Sequence, residues 1–169
     1  MAVMAEQIFQ SPTHGQLSLR EVLEQMAVFR SRVPAATYRL LIGTDSLPSA
    51  RGVALLVTAV VFLRVGNGGV YFWHRERFDQ LHTLRLRMYQ EALTSIETAR
   101  LFVGHPECLD LFTGDIEIHV DIGHRGPTRD MIREIVGMVK ANGFPVITKP
   151  DAVAASKVAD RHTMVLSRI

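Results

Sequence analysis

Two runs of aliphatic and β-branched residues in this sequence each end in an aspartate that turn residues follow at once. They are Tyr38 to Ser46, which carries Asp45, and Ile116 to Gly123, which carries Asp121. Such a run is typical of a buried strand with a carboxylate at its C-terminal edge, where α/β sheets bind ligands. Neighbouring strands lie about 4.8 Å apart, and two ionised acids at that separation repel unless a proton or cation lies between them. The pattern therefore predicts a divalent metal site.

Two further acids belong to this pattern. Placed 100° apart, the residues from about 78 to 103 form a helix with one apolar face, and Glu91 lies on the border of that face, from which it can reach the sheet. The fourth acid follows the last predicted strand and is either Asp151 or Asp160. Pro150 and Asp151 also make a good helix start, so Asp151 competes as a helix cap.

Turn signals and periodicity place these acids in an α/β fold. A capping box from Ser18 to Glu21 predicts a helix that Pro34 stops, and the glycine-rich turn at 66–69 predicts a hairpin within the next three strands. Helices and strands then alternate, which favours parallel pairing. We expect a mixed sheet of about five strands, with an antiparallel hairpin at one edge and parallel strands in the centre, flanked by helices. Residues 1–37 would form a lead-in segment and N-terminal helix, and residues 38–169 the globular domain.

Composition limits the functional class. The chain has 169 residues, which suits one globular unit, and its net charge of +2 is too small to argue for nucleic-acid contact by itself. Cys108 is the single cysteine, so no intrachain disulfide forms and a cytoplasmic location is expected. The N-terminus lacks the pattern of a secretory signal, and the longest apolar run, Val53 to Leu63, is shorter than the roughly twenty residues that span a bilayer. No membrane partner is expected.

The order of the acids resembles that of the ribonuclease H-like superfamily. Strand-end Asp, mid-helix Glu, strand-end Asp and a late Asp follow one another across residues 38–169. A narrower resemblance, to the bacterial YkuK family of uncharacterised proteins, spans nearly the whole chain. The segments that carry it are Phe9 to Gly15, Ile42 to Ser46, Asp115 to Gly123, Lys149 to Asp151 and Ser156 to Thr163.

The resemblance implies a set of roles for these acids. Asp45 would bridge two Mg²⁺ or Mn²⁺ ions, Asp121 and Glu91 would flank one ion, and the C-terminal acid would flank the other. Asp160 looks most like the family's fourth position, and Asp151 stays the alternative. Two ions held in this way promote hydrolysis of phosphodiesters, and oxygen ligands suit Mg²⁺.

Basic and polar residues around the acids are candidates for binding a phosphate backbone. The loop with His124 and Arg125 precedes a predicted helix N-terminus, which favours anions. Nucleic-acid binding through such residues would depend on salt. The other candidates are Ser46, Lys149, Lys157, Arg161 and His162, with Arg75, Arg77, Arg85 and Arg87 near the start of the long helix.

The sequence therefore predicts a Mg²⁺- or Mn²⁺-dependent nuclease that hydrolyses RNA, RNA–DNA hybrid or structured DNA by a two-metal mechanism. No dinucleotide fingerprint or nucleophile motif is present, so no organic cofactor is expected. The alternative is a binding module for nucleic acid or protein that keeps the fold without catalysis. A third hypothesis is an enzyme that acts on a small phosphorylated molecule.

Overall fold

The fold is taken from a computed structural model. The structure describes residues 7–123 and 128–164, without the side chains of Ala50, residues 153–156 and Met164.

The N-terminal part forms a hairpin and a helix. Strands β1 (Ile8–Ser11) and β2 (Gly15–Ser18) pair antiparallel, and Gly15 turns the chain with a φ of 70°. Helix α1 (Leu19–Ser31) begins with the predicted capping box, in which the Ser18 side chain accepts from the backbone N–H of Glu21 and the Glu21 carboxylate accepts from that of Ser18. Its apolar side packs into the core through Val22, Leu23 and Met26.

Three long antiparallel strands follow. They are β3 (Tyr38–Pro48), β4 (Ala54–Arg64) and β5 (Gly69–Phe78). The register aligns Asp45 with Val57 and Val57 with Arg75, so these three residues share one face of the sheet.

The second half of the chain alternates helices and strands. Its elements are α2 (Leu84–Val103), α3 (Pro106–Leu109), β6 (Ile116–His119), α4 (Ile132–Ala141), β7 (Val146–Ile147) and α5 (Val153–Met164). Strand β6 pairs parallel with β3, and β7 pairs parallel with β6.

The sheet is covered on both faces. Its strand order is β2-β1-β5-β4-β3-β6-β7. The main core lies on one face, where even-numbered residues such as Leu40 and Ile42 meet α1, α2 and α4. On the opposite face, Val57, Ala59 and Trp73 pack against Ala159 of α5.

The predicted fold class is confirmed, with two differences of detail. The sheet has seven strands among the described residues and not five, because the segment predicted as a lead-in contains the β1–β2 hairpin. These strands have only four residues each, too few for a clear alternating pattern. The parallel pairs also lie toward one edge, and antiparallel pairs occupy the centre. No helix in the described ranges is long and apolar enough to cross a membrane.

Candidate active site

The parallel register of β3 and β6 brings the two strand-end aspartates together. Gly43 pairs with His119, and continuing that register by two residues places Asp45 beside Asp121. Asp45 projects toward α5, whose Thr163 contacts it, and Asp121 lies two residues beyond the end of β6. The charge of Asp121 is close enough to raise the pKa of Asp45. The pair predicted from the two sequence runs therefore lies at one edge of the sheet.

Helix α2 brings Glu91 to the same edge. Its carboxylate accepts a hydrogen bond from the Ser46 hydroxyl at the end of β3, and the side chain is only 5% exposed. A chain of buried hydroxyls fixes this helix against the sheet: Thr58 Oγ1 lies 2.9 Å from Thr44 Oγ1, which lies 2.7 Å from Ser95 Oγ. The Ser95 hydroxyl donates in turn to the Glu91 carbonyl at 2.9 Å. These bonds restrict Glu91 to the sheet edge because they span both elements.

Helix α5 brings Asp160 to the other side of Asp45. The Thr163 hydroxyl lies 2.9 Å from Asp45 Oδ2 and 2.8 Å from the Asp160 carbonyl oxygen, so it donates a shared hydrogen bond to both. The charge of Asp160 also raises the pKa of Asp45. Asp151 is exposed, before α5 begins, and is not among the charges that act on Asp45 or Glu91.

Two carboxyl groups at this edge, those of Asp45 and Glu91, have raised pKa values. Burial is the main cause that raises the pKa of Asp45, and Asp160 and Asp121 add to it. Burial also raises the pKa of Glu91 to about 8, with contributions from Asp45 and Asp121 that the Ser46 hydrogen bond and Arg87 only partly offset. At neutral pH Glu91 is therefore largely protonated as the site stands.

A lysine forms an ion pair with Asp121. Lys149 Nζ lies 2.8 Å from Asp121 Oδ1, and the two side chains are 56% and 35% exposed. The segment after β7 runs close to the end of β6, with Lys149 N donating to the Ile122 carbonyl at 2.8 Å. A Cβ on Gly123 would lie 3.1 Å from the Lys149 Cβ, so glycine permits this close approach.

The carboxylate oxygens at this edge are suitable ligands for a hard divalent cation. Carboxylate oxygens are the ligands that Mg²⁺ and Mn²⁺ prefer, and uncompensated acids gain most from a bound cation. The side chains do not form a closed ligand group, however: within 7–123 and 128–164 no three His, Cys, Asp or Glu residues are close enough to hold a metal ion. Each acid instead meets a partner from the chain, namely Thr163 for Asp45, Ser46 for Glu91 and Lys149 for Asp121.

The polar stripe upstream on β6 is neutralised within the chain. Arg39 of β3 forms a bidentate pair with Glu117, and the guanidinium lowers the pKa of that carboxyl. His119 is buried with Nε2 3.7 Å from Glu117, and burial lowers the pKa of its ring. Arg39 therefore satisfies Glu117, whereas both ring nitrogens of His119 are buried without a hydrogen-bond partner among the described residues.

The predicted phosphate-binding residues divide into three groups. Ser46 and Lys149 contact Glu91 and Asp121 directly. Arg161, His162 and Lys157 lie on α5, where Lys157 and Arg161 are exposed and His162 stacks on Trp73. His124 and Arg125 lie outside the described residues.

Two contacts of this site were not predicted from the sequence. Thr163 follows Asp160 by three residues, which is one helical turn and a spacing that could have suggested a shared role. The Lys149–Asp121 ion pair joins residues 28 positions apart and has no local signal.

Comparisons with known proteins agree with this fold. The family model described as ribonuclease H-like matches residues 21–164. The chain is also 32% identical over 167 residues to the uncharacterized protein YkuK of Bacillus subtilis (strain 168), covering 92% of this chain and 96% of that protein. No solved structure matches it significantly. The chain therefore belongs to the ribonuclease H-like family.

Proposed function

We propose that this protein is a metal-dependent nuclease that hydrolyses phosphodiester bonds in RNA, RNA–DNA hybrid or structured DNA. The observation that supports it most is the convergence of Asp45, Glu91, Asp121 and Asp160 at one sheet edge, with raised pKa values for Asp45 and Glu91. Perturbed carboxylates that a fold gathers without a matching cation are typical of functional sites. Mg²⁺ or Mn²⁺ ions, when bound, would lower the pKa of the attacking water and neutralise charge on the phosphoryl oxygens.

Neighbouring side chains would orient the carboxylates of this site and supply a positive charge beside them. The Thr163 hydroxyl fixes one oxygen of the Asp45 carboxylate, and the backbone of Ser46 also donates to that carboxylate. Ser46 fixes one oxygen of Glu91 in the same way. A divalent ion bound at Asp121 would compete with Lys149, and a displaced ammonium would be free to bind a phosphate of the substrate.

The test is cleavage of end-labelled RNA, RNA–DNA hybrid and branched DNA with Mg²⁺ or Mn²⁺. We expect cleavage by the wild type, loss of it in Asp45→Asn and retention in the control Asp110→Asn, which changes an exposed acid after α3. Equal activity of Asp45→Asn and the wild type would contradict the proposal. Parallel assays of Asp160→Asn and Asp151→Asn identify the fourth acid, and we expect only Asp160→Asn to lose activity.

The second candidate is a catalytically silent module that binds nucleic acid or protein. The Lys149–Asp121 ion pair favours it, because a cation from the chain already occupies one acid. Calorimetric titration with Mn²⁺ separates the two. A nuclease should bind Mn²⁺ at millimolar concentration or below and lose that binding in Asp45→Asn, whereas a silent module should show no such binding.

A further inference from the structure

A stacked pair of rings lies beside the acid site, between β5 and α5. The Trp73 and His162 rings are 3.6 Å apart and inclined by 10°, and Tyr71 lies 5.9 Å from each. His162 directly precedes Thr163, which contacts Asp45. The ring stack and the acid site are therefore contacted by consecutive residues of α5.

Two arginines border this stack. Arg75 shares a face with Asp45 across β4 and follows Trp73 by two residues on β5, and Arg161 precedes His162 on α5. Both are exposed. Burial, and then the charges of Arg75 and Arg161, lower the pKa of His162.

Neither of these arginines has an anionic partner among the described residues. In the part of the chain that the structure describes, neither Arg75 nor Arg161 forms an ion pair or side-chain hydrogen bond. Elsewhere Arg39, Arg77 and Arg85 pair with Glu117, Asp79 and Glu134. His162 Nε2 is likewise buried with no hydrogen-bond partner in those ranges. An anion that lies between the two guanidinium groups would be stabilised by both charges.

We propose that Arg75, Arg161 and His162 form a binding site for a phosphate of the nucleic-acid backbone, next to the phosphate that the acids would hold. The inference rests on the proposed function and adds the direction in which the bound nucleic-acid strand runs from the four acids. Asp45 and Arg75 are two strand spacings apart, about 10 Å between backbones. A backbone that crosses the sheet edge at Asp45 toward β5 would bring its next phosphates within reach of both guanidinium groups.

Binding without metal tests this site separately from catalysis. We would titrate a fluorescent 12-nucleotide RNA and its DNA hybrid in EDTA, measuring anisotropy and the emission of Trp73, the single tryptophan of the chain. The variants are Arg75→Gln and Arg161→Gln. The control is Arg32→Gln, an exposed arginine just after α1 that lies near the start of β3, at the opposite end of the sheet.

We expect Arg75→Gln and Arg161→Gln each to weaken binding by about 5- to 10-fold and to reduce the salt dependence by about one phosphate contact. Arg32→Gln should bind like the wild type. Because the titration contains no metal, loss of cleavage in Asp45→Asn does not bear on this site. Trp73 emission should change on binding because the probe contacts the ring that stacks on it.

Two outcomes would overturn the proposal. The first is equal affinity of Arg75→Gln, Arg161→Gln and Arg32→Gln, which would make both arginines ordinary solvated charges. The second is a response of Trp73 emission to inorganic phosphate that both substitutions abolish, with oligonucleotide affinity unchanged, which would assign the site to a small phosphate compound. Thermal unfolding of each variant establishes that a loss of binding does not come from a loss of fold.

Discussion

Two glutamates near the same strand illustrate opposite ways of placing a carboxylate in this protein. Glu117 of β6 pairs with Arg39 through two hydrogen bonds, and its pKa is lowered. Glu91 of α2 has a serine as its hydrogen-bond partner and further acids nearby, and its pKa is raised to about 8. The chain thus supplies a strong partner to one carboxylate and leaves the other uncompensated. Since burying a charge without a partner opposes folding, the second arrangement is the one that needs a reason beyond stability.

The comparison predicts the largest difference in catalysis. Glu91→Gln should reduce cleavage by more than about 100-fold, because loss of even an outer partner of a metal ligand typically costs 10- to 100-fold. Glu117→Gln should keep cleavage near the wild-type level. Initial rates on the best of the three substrates, at saturating Mg²⁺ or Mn²⁺, measure both. A similar loss in both variants would show that the two carboxylates do not differ in role.

The same pair should differ in the pH dependence of stability. Between its ordinary value of 4.5 and about 8, Glu91 keeps a proton in the folded state that the unfolded chain releases. Folding stability should therefore fall as the pH rises through this window, by a few kcal/mol at roughly 1.4 kcal/mol per pKa unit, and level off above it. Glu91→Gln should remove this decline.

Urea unfolding at pH 5, 6.5 and 8 in EDTA, followed by Trp73 fluorescence, measures this effect. The matched control is Glu97→Gln, which changes an exposed glutamate on the same helix. If the free energy of unfolding of the wild type did not change between pH 5 and 8, the pKa of Glu91 would not be raised in the folded state.

A smaller effect of opposite sign is expected at Glu117. The pKa of Glu117 is lowered in the folded state, so its carboxylate stabilises the fold at any pH above its ordinary pKa of 4.5. That stabilisation is lost as the pH falls through the pKa of the folded state. Glu117→Gln leaves Arg39 without its partner, and since that arginine is 43% exposed, we expect a loss of only about 1–2 kcal/mol at pH 7. A double-mutant cycle with Arg39→Gln measures the coupling. Additive losses would refute the assignment of this pair as structural.

The smallest effect concerns Lys149. If its ammonium competes with a divalent ion for Asp121, Lys149→Ala should tighten Mn²⁺ binding by less than about 5-fold, because so exposed a pair is worth under about 1 kcal/mol. Calorimetry in the absence of nucleic acid measures this, with Lys140→Ala on α4 as the control. Weaker Mn²⁺ binding in Lys149→Ala would mean that the lysine supports the site and does not compete for it.

The candidate site could be predicted only as far as local patterns extend. A strand that ends in an acid and a helix with Glu91 at the border of its apolar face are short-range signals. The β1–β2 hairpin was missed because four-residue strands give little periodicity. The choice between Asp151 and Asp160 had two adequate local interpretations, and the position of α5 over β3 is what brings Asp160 to Asp45.

The sequence by itself determined most of the secondary elements, including the strand that carries Asp45 and the helix that carries Glu91, because hydrophobic periodicity and capping depend on residues a few positions apart. Only the tertiary structure decided which charges are compensated. The register of β3 and β6 brings Arg39 to Glu117, which is 78 positions away, and the segment after β7 brings Lys149 to Asp121, which is 28 positions away. Glu91, in contrast, has a serine as its hydrogen-bond partner. The pKa of a carboxylate follows from burial and from nearby charges, and both are set by contacts that no local pattern encodes.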